Sequence, residues 1–329
     1  MSKTRLFWID NARGIAMLMV IYSHLFYCNH EIMKFFTPVF LTIFFFISGY
    51  LQNEKYNFSS FLESRTRTIL LPFFIYGIIL IVLRHIITFN EEISWEQDCL
   101  GFIKQIRGEN DELWFLAAIW VFGIIFYWML KLTKKDKELL TLSLSLFIIN
   151  CIYIYWFHGK MLYWHIGLIG WACFYMCLGK LYKKYEIQFD KIINKKILLL
   201  CILIYITFNI ITPISYSYTG SKYMVDSIFI TTLGLTILIY LCKYNILDNK
   251  LFMYIGSNSL LYFIVHGKII SLLQAITRQI MEYWAINNAT FDLILGFIIT
   301  IITGVLAIIP IFLINKYLPM SIGKGFKLW

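Results

Sequence analysis

The sequence predicts an all-α integral membrane protein with about ten transmembrane helices and both termini in the cytoplasm. Of the 329 residues, 60% are hydrophobic and only 15% are charged, and the mean hydropathy is +0.71. Because a soluble domain carries about 25% charged residues, this composition excludes an ordinary soluble enzyme. The chain has five prolines and no polar linker, which predicts a single transmembrane domain over residues 1–329.

Ten apolar segments have about the 17–25 residues that a helix needs to cross a bilayer. The first is expected to be an uncleaved helix rather than a signal peptide, because it contains Arg13 and His24 and no small-residue cleavage site follows it. The predicted spans are 8–28, 36–52, 69–89, 114–130, 139–157, 162–181, 196–214, 224–242, 252–275 and 292–315.

Basic residues are distributed unevenly between the two sides of these spans. With the N-terminus inside, the inner segments hold twenty lysines and arginines and the outer segments hold six. This excess follows the positive-inside rule, so both termini are expected in the cytoplasm. It also explains the net charge of +10 without nucleic acid as a partner. The acidic outer segment 90–113 fits either a solvated loop or a cap over a cavity.

The first span carries three ionisable side chains on one face. Asp10 and Arg13 are three residues apart, and His24 follows Arg13 by eleven residues, which is about 20° of net rotation and about 16 Å along the helix axis. A charge at the bilayer centre costs roughly 2.5–3.5 kcal/mol, so this face is expected to look into protein or water. The structural alternative is an interfacial Arg–Asp pair beside a hydrogen-bonded histidine.

Three further segments combine polar or aromatic groups with the spans. Ser48, followed by a glycine, closes the second span and fits either a small-residue helix contact or a site. Arg65 and Arg67 precede the third span and fit either a positive-inside cluster or an anion site, because a guanidinium forks onto phosphate. Trp114 begins the fourth span, as interface anchors do.

The ninth span holds a second constellation of polar residues. His266 lies near mid-span, and Lys268 lies deeper and needs a partner there. The chain reaches His24 and His266 while travelling outward, so both fit a similar depth in the bilayer. The seven cysteines have no metal-type spacing, and no metal is expected.

Several of these strings resemble the acyltransferase 3 family of bacterial membrane O-acyltransferases. They cover about residues 8–268 in the family's order. The family often has a basic residue where this chain has Thr68, which leaves open which arginine binds the donor. The matching strings are Arg13 and His24 with ten residues between them, the aromatic run ending Ser48-Gly49-Tyr50, the arginines before Pro72, Leu113-Trp114-Phe115-Leu116 as in the sugar-acylating branch, and Gly256-x-Asn258-Ser259 followed by Tyr262 and His266.

The resemblance implies transfer of an acyl group from acyl-CoA, commonly acetyl-CoA, to a hydroxyl of a cell-envelope glycan at the bacterial inner membrane. Lipopolysaccharide O-antigen, capsule and exopolysaccharide are all possible acceptors. We expect His24 to act as general base or as transient acyl carrier, and His266 as a second base or acceptor-positioning group. Arg13 is expected to hold the donor's phosphate or pantetheine arm, and Asp10 to orient Arg13.

One alternative function remains open from the sequence. A multi-span transporter or glycan flippase is the alternative function, because intramembrane Arg, Lys and His also suit transport. Against it, the sequence has no evident inverted repeat.

The remaining predicted contacts divide between the acyl-CoA donor and the glycan acceptor. The donor contacts are expected at Ser48, Arg65 and Arg67, and the acceptor contacts at Trp114, Tyr262 and Lys268.

Overall fold

A computed structural model describes residues 6–53, 56–87, 94–106, 112–157, 162–211, 224–284, 289–326 and 328. Within these ranges the chain is helical and has no strand, which confirms the all-α prediction. The chain divides into two compact units, each built from two stretches of sequence. The first unit is Met1–Ile47 with Tyr182–Ile311, and the second unit is Ser48–Leu181 with Phe312–Trp329.

Sixteen α-helices and three short segments of other helix types form the described part of the chain. The α-helices are α1 (Phe7–Ser23), α2 (His30–Phe36), α3 (Thr42–Leu51), α4 (Phe58–Arg65), α5 (Leu71–Ile87), α6 (Trp95–Lys104), α7 (Trp114–Leu132), α8 (Asp136–Trp156), α9 (Ile169–Lys184), α10 (Glu186–Ile192), α11 (Lys195–Ile211), α12 (Met224–Lys243), α13 (Lys250–Ser257), α14 (Ser259–Trp284), α15 (Ala289–Leu306) and α16 (Ile308–Tyr317). The others are a π-helical turn (Thr66–Leu70) and two 3-10 segments (Tyr163–Leu168 and Pro319–Ile322).

Among the described residues, six helices are long and apolar enough to cross a membrane, and the count becomes seven if α10 and α11, bent by 81°, form one span. Helices at other predicted positions are shorter: α1 has 17 residues, α3 has 10 and α9 has 16. The count of ten spans and the cytoplasmic termini therefore stay predictions. Residues 88–89 and 212–214 of the predicted spans, and 90–93 and 107–111 of the acidic segment, lie outside the described residues.

Helix α1 is the centre of the first unit, with α12, α13, α14 and α15 packed around it. Gly14 of α1 lies against the carbonyl of Phe252, and Gly256 of α13 lies against the carbonyl of Asp10. A Cβ atom at either glycine would overlap the facing carbonyl oxygen, so only glycine allows the two backbones to touch. This contact fixes the start of α1, which carries Asp10, against α13.

The second unit is organised around a π-helical turn that joins α4 to α5. Such turns are rare and frequently lie at functional sites. Helix α7 and the C-terminal 3-10 segment both pack against this turn. The indole Nε1 of Trp120, on α7, donates to the Thr66 hydroxyl across 3.4 Å. The turn is therefore held by two other elements of the unit, although none of its five residues is fully buried and Thr68 is exposed.

Candidate active site

His24 occupies the C-terminal cap of α1 and is exposed. The sequence predicted a helix to residue 28, but α1 ends at Ser23, so His24 begins the following loop. The His24 Nδ1 atom lies 2.8 Å from the carbonyl oxygen of Val20. Because a carbonyl only accepts hydrogen bonds, Nδ1 carries the proton, and the neutral ring has its lone pair on Nε2.

His266 repeats this arrangement on α14. Its Nδ1 lies 3.0 Å from the Tyr262 carbonyl oxygen and 2.9 Å from that of Phe263, so its lone pair is also on Nε2. The side chain is 4% exposed, and Nε2 has no hydrogen-bond partner among the described residues. A buried polar atom left in this way costs about 1–3 kcal/mol, so its retention favours a functional role.

The two imidazoles lie next to each other in the first unit. Their ring centres are 5.1 Å apart and their planes are nearly perpendicular, at 84°. Two imidazolium charges at this separation would repel each other, so the pair favours at least one neutral ring. The structure thus brings together the two predicted histidines, with His24 open to its surroundings and His266 buried behind it.

Arg13 and Asp10 lie on α1 and are half-buried. They are three residues apart, which makes them neighbours on the helix surface. Helix α1 is unbroken from Phe7 to Ser23, so Arg13 lies about 16 Å along the axis from His24, as the sequence predicts. The first unit therefore places a cation on α1 and an exposed imidazole at the C-terminal cap of the same helix.

Asn11 is a buried residue beside this pair that sequence reasoning missed. Its amide nitrogen donates to the Asp248 carboxylate across 3.1 Å, and its amide oxygen accepts from the Asn249 backbone N–H across 3.4 Å. Asn11 therefore fastens the start of α1 to the loop before α13. The available signal was a polar residue in the apolar run between Asp10 and Arg13.

Arg65, in the second unit, contacts Ser48, which the sequence also predicts to bind the acyl-CoA donor. Its Nη2 atom donates to the Ser48 hydroxyl across 3.0 Å and to the Gln52 side-chain oxygen across 3.3 Å. The guanidinium carbon also lies 5.6 Å from the centre of the Phe61 ring, within cation–π range. The structure thus joins Arg65 to Ser48 and adds Gln52, which sequence reasoning missed.

Arg67 has a different environment. Its Nη1 donates to the Gly323 carbonyl across 2.6 Å. Gly323 has a φ of +73°, and a Cβ atom there would overlap the Arg67 carbonyl oxygen, so the two backbones touch. Arg67 therefore holds the C-terminal segment, whereas Arg65 contacts Ser48.

The three predicted acceptor residues have unequal access. Trp114 is half-buried, with its ring centre 4.3 Å from that of His165. Tyr262 has no exposed surface, and its hydroxyl donates to the Gly304 carbonyl across 2.8 Å, so it is a core residue. Lys268 is half-buried and lies two residues after His266, which turns it about 200° away around α14.

Comparison with protein-family models assigns the chain to a family. The family model Acyl_transf_3, described as an acyltransferase domain, matches residues 6–314. The chain belongs to the acyltransferase 3 family. Comparison with curated proteins and with solved structures finds no match. This acyltransferase 3 member is a multi-pass membrane acyltransferase, and its described residues include no group of three or more His, Cys, Asp or Glu that could hold a metal ion.

Proposed function

We propose that the protein moves an acetyl group from acetyl-CoA to a hydroxyl of a cell-envelope glycan, such as O-antigen, capsule or exopolysaccharide. The observation that carries the proposal is the His24–His266 pair, in which both Nδ1 atoms are bonded to backbone carbonyls. Each neutral ring then presents Nε2 as a base, and the exposed ring is His24. No redox group or metal is needed for this transfer.

In the proposed reaction, His24 Nε2 accepts the proton of the acceptor hydroxyl. The hydroxyl oxygen attacks the thioester carbonyl carbon, the carbon–sulfur bond breaks, and the thiolate takes the proton from the imidazolium. The products are the O-acetyl ester and free CoA thiol. His266, whose buried ring lies next to that of His24, acts as a second base or positions the acceptor. General base catalysis of this kind contributes about 10²- to 10⁴-fold to a rate.

A second use of the same atom remains compatible with this geometry. In this second route His24 Nε2 attacks the thioester carbonyl carbon, the carbon–sulfur bond breaks, and CoA leaves as the thiolate. The acetyl group then stays on Nε2 until the acceptor hydroxyl displaces it. Incubation of the protein with isotope-labelled acetyl-CoA and no acceptor separates the two routes. A carrier gives intact protein with one added acetyl group, which is lost in His24→Gln, whereas a general base gives unmodified protein.

The other predicted residues have supporting positions in this proposal. Arg13, on the helix that His24 caps, holds the donor's phosphate or pantetheine arm, and Asp10 orients Arg13. Arg65 and Ser48 bind the nucleotide end of the donor, with Arg67 holding the adjacent segment. Trp114 and Lys268 contact the acceptor, and Tyr262 supports α14 from the core. We further propose ten spans in a bacterial inner membrane, with both termini in the cytoplasm.

The decisive experiment measures release of free CoA thiol by purified protein given acetyl-CoA and a glycan acceptor. Wild-type protein should release thiol over many turnovers only when acceptor is present, and His24→Gln should reduce turnover at least a hundredfold. The matched control is His30→Gln, because His30 is an exposed histidine at the start of α2. Normal turnover by His24→Gln would remove the base and carrier roles, and a transporter would release no thiol at all.

A further inference from the structure

Four polar residues lie together at the end of α3 in the second unit: Ser48, Gln52, Arg65 and Lys180. Gly49 lies against the carbonyl of Met176, and a Cβ atom there would overlap the carbonyl oxygen, so α3 and α9 touch through their backbones. One turn after Met176 on α9, Lys180 donates from Nζ to the Gln52 backbone carbonyl across 3.3 Å. Gln52 follows the last residue of α3, where a cation is favoured by the helix dipole.

The orientation of the Gln52 amide follows from Arg65. The Arg65 Nη2 atom, which can only donate, lies 3.3 Å from Gln52 Oε1 and 3.0 Å from Ser48 Oγ. The amide oxygen must therefore face Arg65, because the flipped amide would set two donors against each other. Gln52 Nε2 consequently points away from Arg65, and the Ser48 hydroxyl, as an acceptor from Arg65, has its proton for another partner.

Gln52 Nε2 is a donor with unusual surroundings. Gln52 is 4% exposed, and its Nε2 has no hydrogen-bond partner among the residues that the structure describes. An orphaned buried amide is unfavourable by about 1–3 kcal/mol, and native proteins keep few of them. An acceptor brought by a ligand would satisfy it. Two cations contact other atoms of the same residue, Arg65 at the side-chain oxygen and Lys180 at the backbone carbonyl, and they favour an anion as that ligand.

We propose that Gln52 Nε2, the Ser48 hydroxyl, Arg65 and Lys180 form a phosphate-binding site that receives a phosphate of the acyl-CoA donor. The assignment rests on the proposed function for the identity of the donor. A phosphate offers several strong acceptor oxygens, which match the donors of these residues: the Gln52 amide nitrogen, the Ser48 hydroxyl, the guanidinium and the ammonium group. Arg67 is outside this site, since its guanidinium holds the Gly323 carbonyl. The proposed site therefore assigns contact with the acyl-CoA donor to Arg65 and not to Arg67.

The test is binding of CoA to the full-length protein in dodecyl maltoside, a detergent without phosphate. Gln52→Leu removes the amide at nearly constant volume and should weaken CoA binding about tenfold or more, the effect of one hydrogen bond to a charged group. Acetylpantetheine, which lacks the phosphates, should bind both proteins equally. Inorganic pyrophosphate should compete with CoA on the wild type and much less on Gln52→Leu.

Two further variants keep the test decisive. Lys180→Met removes a cation that donates to the Gln52 backbone carbonyl, and it should weaken CoA binding even if Gln52→Leu folds poorly. The matched control, Gln188→Leu, makes the same change at an exposed glutamine of α10 and should bind CoA like the wild type. Unchanged CoA affinity in both Gln52→Leu and Lys180→Met, or an equal loss of acetylpantetheine, overturns the site.

The remaining arms separate the source of the phosphate and the role of the reaction. Addition of phosphatidylglycerol to the micelles should leave CoA affinity unchanged; if the lipid displaces CoA from the wild type but not from Gln52→Leu, the site binds a lipid phosphate and the donor assignment is wrong. Wild-type protein that binds CoA through Gln52 yet releases no thiol would end the proposed reaction and leave this site standing.

Discussion

Different contacts hold the side chains of the imidazole pair in the first unit and of the polar cluster in the second unit, which consists of Ser48, Gln52, Arg65 and Lys180. Each histidine is held by carbonyls of its own helix, four residues earlier for His24 and three and four residues earlier for His266. Arg65, by contrast, meets Ser48 and Gln52, which are 17 and 13 residues away and lie at the end of another helix. The first site thus depends on local helix geometry for its proton positions, and the second depends on how helices pack.

The two regions also share one device, a glycine that lets two helix backbones touch. Gly256 plays this part beside Asp10 in the first unit, and Gly49 plays it beside Met176 in the second. In both cases the contact lies within one turn of a proposed ligand-binding residue. Packing therefore matters to both sites, but only the second needs it to align the atoms that form its hydrogen bonds.

The largest expected effect comes from filling these glycine contacts. Gly256→Val places side-chain atoms on the Asp10 carbonyl and should abolish recovery of folded protein, measured by size-exclusion chromatography of a fluorescent fusion. Gly49→Val should do the same through Met176. The matched control is Gly267→Ala on α14, where a Cβ atom would meet nothing within 4 Å; it should be neutral or stabilising by about 0.5–1 kcal/mol. Normal recovery of Gly256→Val would mean that α1 and α13 separate without loss.

The next effect tests whether the imidazoles act as a pair. His266→Gln should lower kcat about ten- to a hundredfold with little change in the KM for acetyl-CoA, because the buried ring supports His24 rather than the donor. Combined with His24→Gln it should add almost nothing, as expected for groups that act as a unit. Steady-state thiol release checks both variants. Losses that multiply in the double variant would show two independent roles.

A smaller effect separates the two arginines of the second unit. Arg65→Met should raise the KM for acetyl-CoA about tenfold, since it removes a charged donor at the proposed phosphate. Arg67→Met should leave that KM unchanged and lower the melting temperature, because the Gly323 carbonyl loses its donor. Initial rates over a range of acetyl-CoA concentrations, with thermal unfolding in parallel, check the split. A raised KM in Arg67→Met alone would exchange the two roles.

The contrast between the regions also explains what the sequence could predict. Charge distribution, apolar length and the eleven-residue step from Arg13 to His24 are local or periodic properties, and they lead to the helical class and to the first constellation. The sequence predicted a similar depth for His24 and His266 on two outward-running spans, and the structure adds that their ring centres are 5.1 Å apart. Local rules did not predict that α1 would end at Ser23.

The second cluster could not be derived in the same way. Arg65 and Arg67 are equivalent in sequence, and the π-helical turn that follows Arg65 and contains Arg67 has no simple sequence signature. Sequence reasoning could not single out Gln52, because its role depends on the contact between α3 and α9, which places Lys180 against the Gln52 backbone carbonyl. Which polar groups remain buried is decided by packing between distant segments, and periodicity carries no information about that.

The smallest effect distinguishes support from contact on α14. Tyr262→Phe removes only the hydroxyl that donates to the Gly304 carbonyl, so it should lower stability by about 1 kcal/mol, the typical net value of one hydrogen bond. Because Tyr262 has no exposed surface, the acceptor KM should not change. Thermal unfolding and an acceptor titration of thiol release give the two numbers, with Tyr254→Phe as control on the neighbouring α13. A raised acceptor KM at unchanged stability would return Tyr262 to the acceptor site, because a hydroxyl that acts only in the core has no route to substrate affinity alone.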